Sequence, residues 1–273
     1  MSSPGLELAA GLRHPTALID EAAEIHDTAG IGPYAVIGPR VRLAADVRVG
    51  PHALIERDTR VGEGCIIAAG AVLGTDPQDL KYAGEPSSLE VGPRTVIREY
   101  ATLNRGTAAS GETVVGADCL IMAYAHVAHD CRIGDHVILA NAVNMGGHVH
   151  IAEWAIVGGV TAIHQFVRIG CHAMVGGGSR VSRDVAPYTI AAGNPCAAYG
   201  LNLVGLRRRG FSPETLTALR SAYRRIFQSE LNVGQALDEL EATDGQPEEV
   251  RRLVAFIRAG RRGVTTRRAS RDT

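Results

Sequence analysis

The heptapeptide AHVAHDC, Ala125 to Cys131, sets His126 and His129 three residues apart and places Asp130 directly after the second. Ten histidines occur in the chain, and seven of them fall between residues 126 and 172. Imidazole titrates near neutral pH, so it can take a proton from a poor nucleophile, ligate a metal, or sit solvated on a surface. Two spaced histidines do not choose among these. The choice depends on the repeat that carries them.

A second chemical signal is Lys81, the only lysine against 27 arginines. In so Arg-rich a composition a lone ammonium points to a compact charge that a planar guanidinium fills less well. The five cysteines form no CxxC pair and are odd in number, which suits small buried thiols in a reducing cytoplasm rather than a disulfide frame. Net charge is −1, so nothing draws the whole chain toward nucleic acid, and no run approaches the roughly 20 apolar residues of a membrane span. The charge is uneven. Residues 201–273 hold 14 Arg against 9 acids, while the first 200 hold 14 basic and 20 acidic residues.

Stepping by six from Ile19 meets an aliphatic residue at every position to Leu73, and the same phase returns at Val91 and again from Val115 to Val181. Of 28 positions in this register only Asp79, Glu85 and Ala109 fail. The fifth residue of each hexad is small or β-branched, and the second is often Gly or Ala. One short strand and one corner per six residues describe a parallel β-helix of triangular section, with three hexads to a coil. Stacked aliphatic columns leave little room for rings, which agrees with 4% aromatics. The fold expected is therefore mainly β, a β-helix over residues 14–195 with loops leaving it near 74–90 and 104–114.

The hexads stop past Tyr188. Ser212-Pro213-Glu214 reads as a helix start, with an N-cap, a first-turn proline and a first-turn acid, and the helix runs to about Gln228. Two more helices are expected near 233–242 and 247–259. This gives an α-helical domain over 196–262 and a disordered tail over 263–273.

Residues 18 apart stack about 4.8 Å apart in successive coils. The hexads at Val127, Met145 and Ile163 therefore form one face of the prism, and His129, His148 and His164 lie on it in three successive layers. His126 immediately precedes the first. Imidazoles gathered on one edge point to proton transfer.

The hexad pattern is similar to that of the left-handed β-helix family of acyltransferases, and the left hand rests on that resemblance alone, since parallel crossovers otherwise favour the right. Together, DLKYAGEP (Asp79–Pro86), AHVAHDC, GGH (Gly146–His148), GGVTAIHQF (Gly158–Phe166) and GLRRRGFS (Gly205–Ser212) resemble the motif set of the UDP-N-acetylglucosamine 3-O-acyltransferases over nearly the whole chain. The resemblance implies a cytoplasmic homotrimer. It implies transfer of an (R)-3-hydroxyacyl group from acyl carrier protein to the glucosamine 3-hydroxyl of UDP-N-acetylglucosamine, the first step of lipid A synthesis, with no cofactor and no metal.

By the same matching, His129 is the general base and Asp130 orients it, which requires a corner conformation because strand neighbours point oppositely. Gly147 supplies a backbone N–H to the oxyanion. Asp79, Lys81, His126, His148, His164 and Gln165 hold the sugar and diphosphate, and Asn202, Arg208 and Arg209 the nucleotide end. Met174 and Gly177 match the region that limits the acyl chain. The sequence departs from the pattern at Pro195, where a histidine is common, and at Val204, where an acid is common. Acyl length and a 3-hydroxyl or 3-amino acceptor stay open. The alternatives are a zinc enzyme of the carbonic anhydrase kind on the same prism, since clustered imidazoles also suit zinc, and another hexapeptide acyl- or acetyltransferase.

Overall fold

The computed structural model describes residues 8–266. Its β-strands are two to five residues long and fall into three sheets, one for each wall of a prism. Wall A holds ten strands, from Gly30–Ile31 to Ala197–Leu201; wall B nine, from Leu18–Ile19 to Arg180–Val181; and wall C eight, from Glu24–Ile25 to Arg168–Ile169. Apart from the last strand of wall A, successive strands of a wall are parallel, and the regular spacing is 18 residues, as in Leu18↔Val36↔Leu54 on wall B. Inserted loops lengthen the spacing where Val72 pairs with Thr102 and Thr102 with His126, and at the C-terminal end it shortens, with Met174 paired to Ile190. The loops leave after the strand Val72–Thr75 and after Thr102–Asn104, and the chain rejoins wall C at Ser88–Val91 and Glu112–Val115.

The hexad phase becomes the core directly. From Ile31 to Val181 the aliphatic column and the small column are buried, with Leu73, Leu103, Val127 and Leu139 all at 0% exposure beside Ala53, Ala125 and Val143. Burying one such aliphatic side chain contributes about 1.5–3 kcal/mol. At the N-terminal end Ile19 and Ile25 are only partly covered, because no coil lies beneath them.

From Tyr34 onward most corners take a left-handed residue, and 18 non-glycine residues among those described adopt it, including Asp130 (φ 59°), His148 (φ 60°) and Phe166 (φ 63°). Such a conformation costs about 1–2 kcal/mol per residue. Ladders between coils offset it. Tyr100 stacks on Tyr124 at 5.4 Å and His136 on Trp154 at 3.9 Å, and Arg94 makes a two-pronged ion pair with Asp118. An aromatic pair contributes about 0.5–1.5 kcal/mol, which is comparable with the strain it opposes.

Four helices close the C-terminal end: α1 (Leu203–Arg208), α2 (Pro213–Gln228), α3 (Val233–Glu241) and α4 (Glu248–Arg258). Ser212 caps α2 through Thr215 N–H as the sequence leads one to expect, whereas α1 has no counterpart in the apolar periodicity. Leu219, Ile226, Leu237 and Leu253 form a second core over Cys171, Ala186 and Tyr188 of the last coils. Arg168 fastens the junction, with Nε on Asp184 at 2.8 Å and Nη2 on the Phe256 carbonyl at 2.7 Å.

Two boundaries differ from expectation. The part expected to be helical from residue 196 begins with the strand Ala197–Leu201, antiparallel to Thr189–Ala192, because the last wall needs an edge strand before the chain can turn into α1. In the segment expected to be a disordered tail, residues 263–266 lie on the prism: Val264 bridges Asp184, and Thr265 N–H donates to the Asp184 carbonyl at 2.7 Å. Residues 267–273 lie outside the described part.

Candidate active site

The edge between walls B and C carries the histidines. His126 begins the wall B strand His126–Val127, and the chain then turns through Ala128, His129 and Asp130 into wall C. One coil on, the same turn is Gly146–Gly147–His148, and one further it is His164–Gln165–Phe166. The row of imidazoles along one edge is therefore present. His129 and His148 meet edge to face with centroids 5.2 Å apart, and His148 stacks flat on Phe166 at 4.4 Å. His164 is exposed, its Nδ1 turned to the Gln165 carbonyl at 3.1 Å, and Gln165 is exposed beside it.

His129 and Asp130 interact directly although they are adjacent in the chain. Asp130 sits at the left-handed corner position, which swings its carboxylate back under the preceding ring, and His129 Nδ1 lies 2.7 Å from Asp130 Oδ2. The carboxylate is fully buried while the ring keeps 12% of its surface. Burial alone would raise the Asp130 pKa, but hydrogen bonds from Ser110, His129 and Thr107 outweigh it and hold the carboxyl at about 2. An ionised carboxylate only accepts, so Nδ1 must be the donor and the neutral ring has its lone pair on Nε2.

Gly147 stacks over this ring. A Cβ added there would meet His129 Cε1 at 2.4 Å and Nε2 at 2.6 Å, so no larger residue fits while the imidazole holds its place. Among the described residues no group accepts from the Gly147 N–H. His126 is held by Thr102 Oγ1 at 2.7 Å, and its pKa is lowered by burial and then by the charge of His129. Cys131, next in sequence, faces the core with its thiol pushed up to about 12, so it is no nucleophile.

One set could approach a metal: the ligand atoms of His129, Asp130 and His148 lie within 4.8 Å of one another. Its chemistry fits poorly. The Asp130 oxygens already receive Thr107 N–H, Thr107 Oγ1, Ser110 Oγ and His129 Nδ1, which fills the four acceptor sites of a carboxylate. Among the described residues this is the one such group, and it holds two imidazoles rather than three.

The other matched residues lie elsewhere. Asp79 and Lys81 stand on the inserted loop, where Asp79 Oδ1 accepts from Lys81 N–H at 3.0 Å and the Lys81 side chain is exposed. Arg208 is exposed at the end of α1, and the Arg209 guanidinium lies 4.9 Å over the Trp154 ring with its pKa lowered by burial. Asn202 is buried. Its Oδ1 caps α1 at Gly205 N–H and its Nδ2 donates to the His172 carbonyl at 3.0 Å, so its amide is engaged within the chain. Met174 and Gly177 belong to wall A and its following corner, away from the histidine edge of the same chain. Thr107, Ser110 and Thr113 touch Asp130 but carried no sequence signal beyond being polar residues in or beside an insert.

A prism of hexads with an oriented imidazole at one corner fits a hexapeptide-repeat transferase. Family models agree: residues 112–147 match the bacterial transferase hexapeptide (six repeats), and residues 184–265 match domain 2 of UDP N-acetylglucosamine O-acyltransferase. The chain is 46% identical over 256 residues to an acyl-(acyl-carrier-protein)–UDP-N-acetylglucosamine O-acyltransferase of Paraburkholderia phymatum, covering 92% of this chain and 98% of that one. The crystal structure of a UDP-N-acetylglucosamine O-acyltransferase from Moraxella catarrhalis is 43% identical with a TM-score of 0.89, covering 92% and 98% of the two chains. A UDP-N-acetylglucosamine acyltransferase from Bacteroides fragilis is 41% identical with a TM-score of 0.90, covering 93% and 99%. The chain belongs to the family of UDP-N-acetylglucosamine O-acyltransferases, and its fold is the left-handed β-helix of hexapeptide repeats followed by α-helices.

Proposed function

We propose that this chain transfers an (R)-3-hydroxyacyl group from acyl carrier protein to the glucosamine 3-hydroxyl of UDP-N-acetylglucosamine, opening lipid A synthesis. The observation that carries the chemistry is the His129 Nδ1–Asp130 contact of 2.7 Å, which leaves Nε2 free to accept a proton. A sugar hydroxyl is a weak nucleophile at neutral pH and needs such a base. Nε2 takes the 3-hydroxyl proton as the oxygen attacks the thioester carbonyl. The resulting oxyanion receives the Gly147 N–H, the carbon–sulfur bond breaks, and His129 returns the proton to the departing thiolate.

Several assignments rest on the family match: Lys81 and Asp79 for the diphosphate sugar, with His126, His148, His164 and Gln165; Arg208 and Arg209 for the nucleotide end. Arginine suits phosphate because its fork donates two hydrogen bonds. Asn202 acts there by holding α1.

A homotrimer is the working assembly. An outward aliphatic row runs up wall A in register from Ile66 through Val96, Leu120, Ile138, Ile156 and Met174 to Ile190, with Ile66 at 42% and Met174 at 38% exposure. Such a contiguous apolar strip fits burial against another subunit. Met174 belongs to this strip, and the assignment of Met174 and Gly177 to the acyl-chain region rests on the family match. No described helix is long and apolar enough to cross a membrane, and a cytoplasmic location accords with the carrier-bound substrate.

The test is turnover of purified His129→Ala with (R)-3-hydroxyacyl carrier protein and UDP-N-acetylglucosamine. A loss of about 10²-fold or more in kcat is expected for removal of a general base. Wild-type turnover in that variant would reject the assignment.

A further inference from the structure

The carboxylate that orients His129 is itself held by the second inserted loop. Asp130 Oδ1 accepts from Thr107 N–H at 3.0 Å and from the Ser110 hydroxyl, and Oδ2 accepts from Thr107 Oγ1 at 2.8 Å. Ser110 Oγ also lies 2.8 Å from the Glu112 carbonyl, but it has one proton, and the charged oxygen is the stronger acceptor. Thr113 Oγ1 takes the Asp130 N–H at 2.8 Å, fixing the backbone of the corner. Without these bonds the carboxylate would have several low-energy rotamers. With them it has one.

The same loop is tied to the insert that bears Asp79 and Lys81. Glu85 Oε1 accepts from Ala108 N–H at 3.2 Å, and the buried Arg105 guanidinium reaches Asp76 and the Tyr82 hydroxyl. Arg105 also donates to the Gly74 carbonyl at the root of the first loop. The two inserts are one hydrogen-bonded body that ends on Asp130.

We propose that Thr107 and Ser110 are positioning residues for the reaction: they lock the Asp130 carboxylate in the rotamer that holds His129 with Nε2 toward the acceptor hydroxyl. The inference rests on His129 being the base. It adds that the base is competent only while the loop of residues 105–111 is docked. Ser110 lies on an exposed stretch, so Ser110→Ala removes the hydroxyl without disturbing the core, whereas Thr107 is 7% exposed.

The experiment compares Ser110→Ala, Ser110→Thr, Thr107→Val and His129→Ala in the full chain, with kcat, KM for both substrates and the pH profile of kcat/KM. Loss of one hydrogen bond to a buried charge should lower kcat about tenfold in Ser110→Ala and in Thr107→Val, with KM unchanged. The acid limb should move to higher pH, because a carboxylate stripped of a donor holds a proton on the His129–Asp130 pair more tightly. Ser110→Thr, which keeps the hydroxyl, should restore both. Wild-type kcat and acid limb in Ser110→Ala and Thr107→Val, or a change confined to KM, while His129→Ala is inactive, would overturn this proposal and leave the base assignment standing. An active His129→Ala would instead remove the reading on which it rests.

Discussion

His129 and Asp130 are covalent neighbours whose side chains meet at 2.7 Å, an arrangement that an extended strand forbids and a left-handed corner residue permits. The proposed base and its orienter thus occupy one hexad and need no second segment to come together. What the rest of the fold supplies is the surroundings: Gly147 one coil away, the inserted loop beneath, and an exposed face for substrates.

Asp130→Asn should keep the shape and lose the chemistry. An amide can present its NH2 to Nδ1, which favours the tautomer with the proton on Nε2, where it cannot act as base. A fall in kcat of about 10²-fold or more with near-normal KM is expected. A steady-state assay of the variant beside a far-UV spectrum checks both halves.

Gly147→Ala should displace the His129 ring, since the new methyl would stand 2.4 Å from Cε1. Activity should drop at least as far as in Asp130→Asn, while the melting temperature changes little because the ring can swing toward solvent. Thermal melts and turnover measured on one preparation decide it.

His172 makes the fold sensitive to mild acid. The ring lies between Trp154 and Tyr188, at 6.2 and 5.9 Å, and its Nδ1 is buried with no partner. Burial lowers its pKa to about 4, helped by the charges of Arg209 and Arg252 and opposed by Glu153. The folded value is below the unfolded one of about 6.5, so the unfolded chain binds the extra proton. The neutral ring's contribution is complete above pH 6.5 and is lost as pH falls toward 4. In His172→Phe this part of the stability–pH curve should disappear. Urea titrations of both proteins at pH 7 and pH 4.5 give the comparison.

Ile138→Asp tests the assembly. Ile138 stands in the middle of the wall A row, between Leu120 and Ile156 in register. A charge there cannot be buried without a partner, so the proposed trimer should dissociate with the monomer fold kept. Sedimentation velocity should show the mass fall to one third.

Much of this was legible in the sequence because hexad spacing is a local property. Ile121, Val127 and Ile133 point inward for the same reason that each begins a hexad, and the 18-residue winding alone predicts that His129 and His148 are neighbours. The helix start at Ser212 was equally local, since N-cap chemistry acts over three residues. The short helix α1 was not, because six residues with two arginines at the end carry no clear apolar period.

By itself, then, the order of residues determined the prism and the column of imidazoles, since both follow from a periodicity that repeats whether or not distant parts meet. Only the tertiary structure decided that Asp130 is buried and ionised, that Thr107 and Ser110 hold it, and that Asn202 serves α1 rather than solvent. These depend on an irregular loop docking against a corner, and a loop has no period from which its contacts can be read.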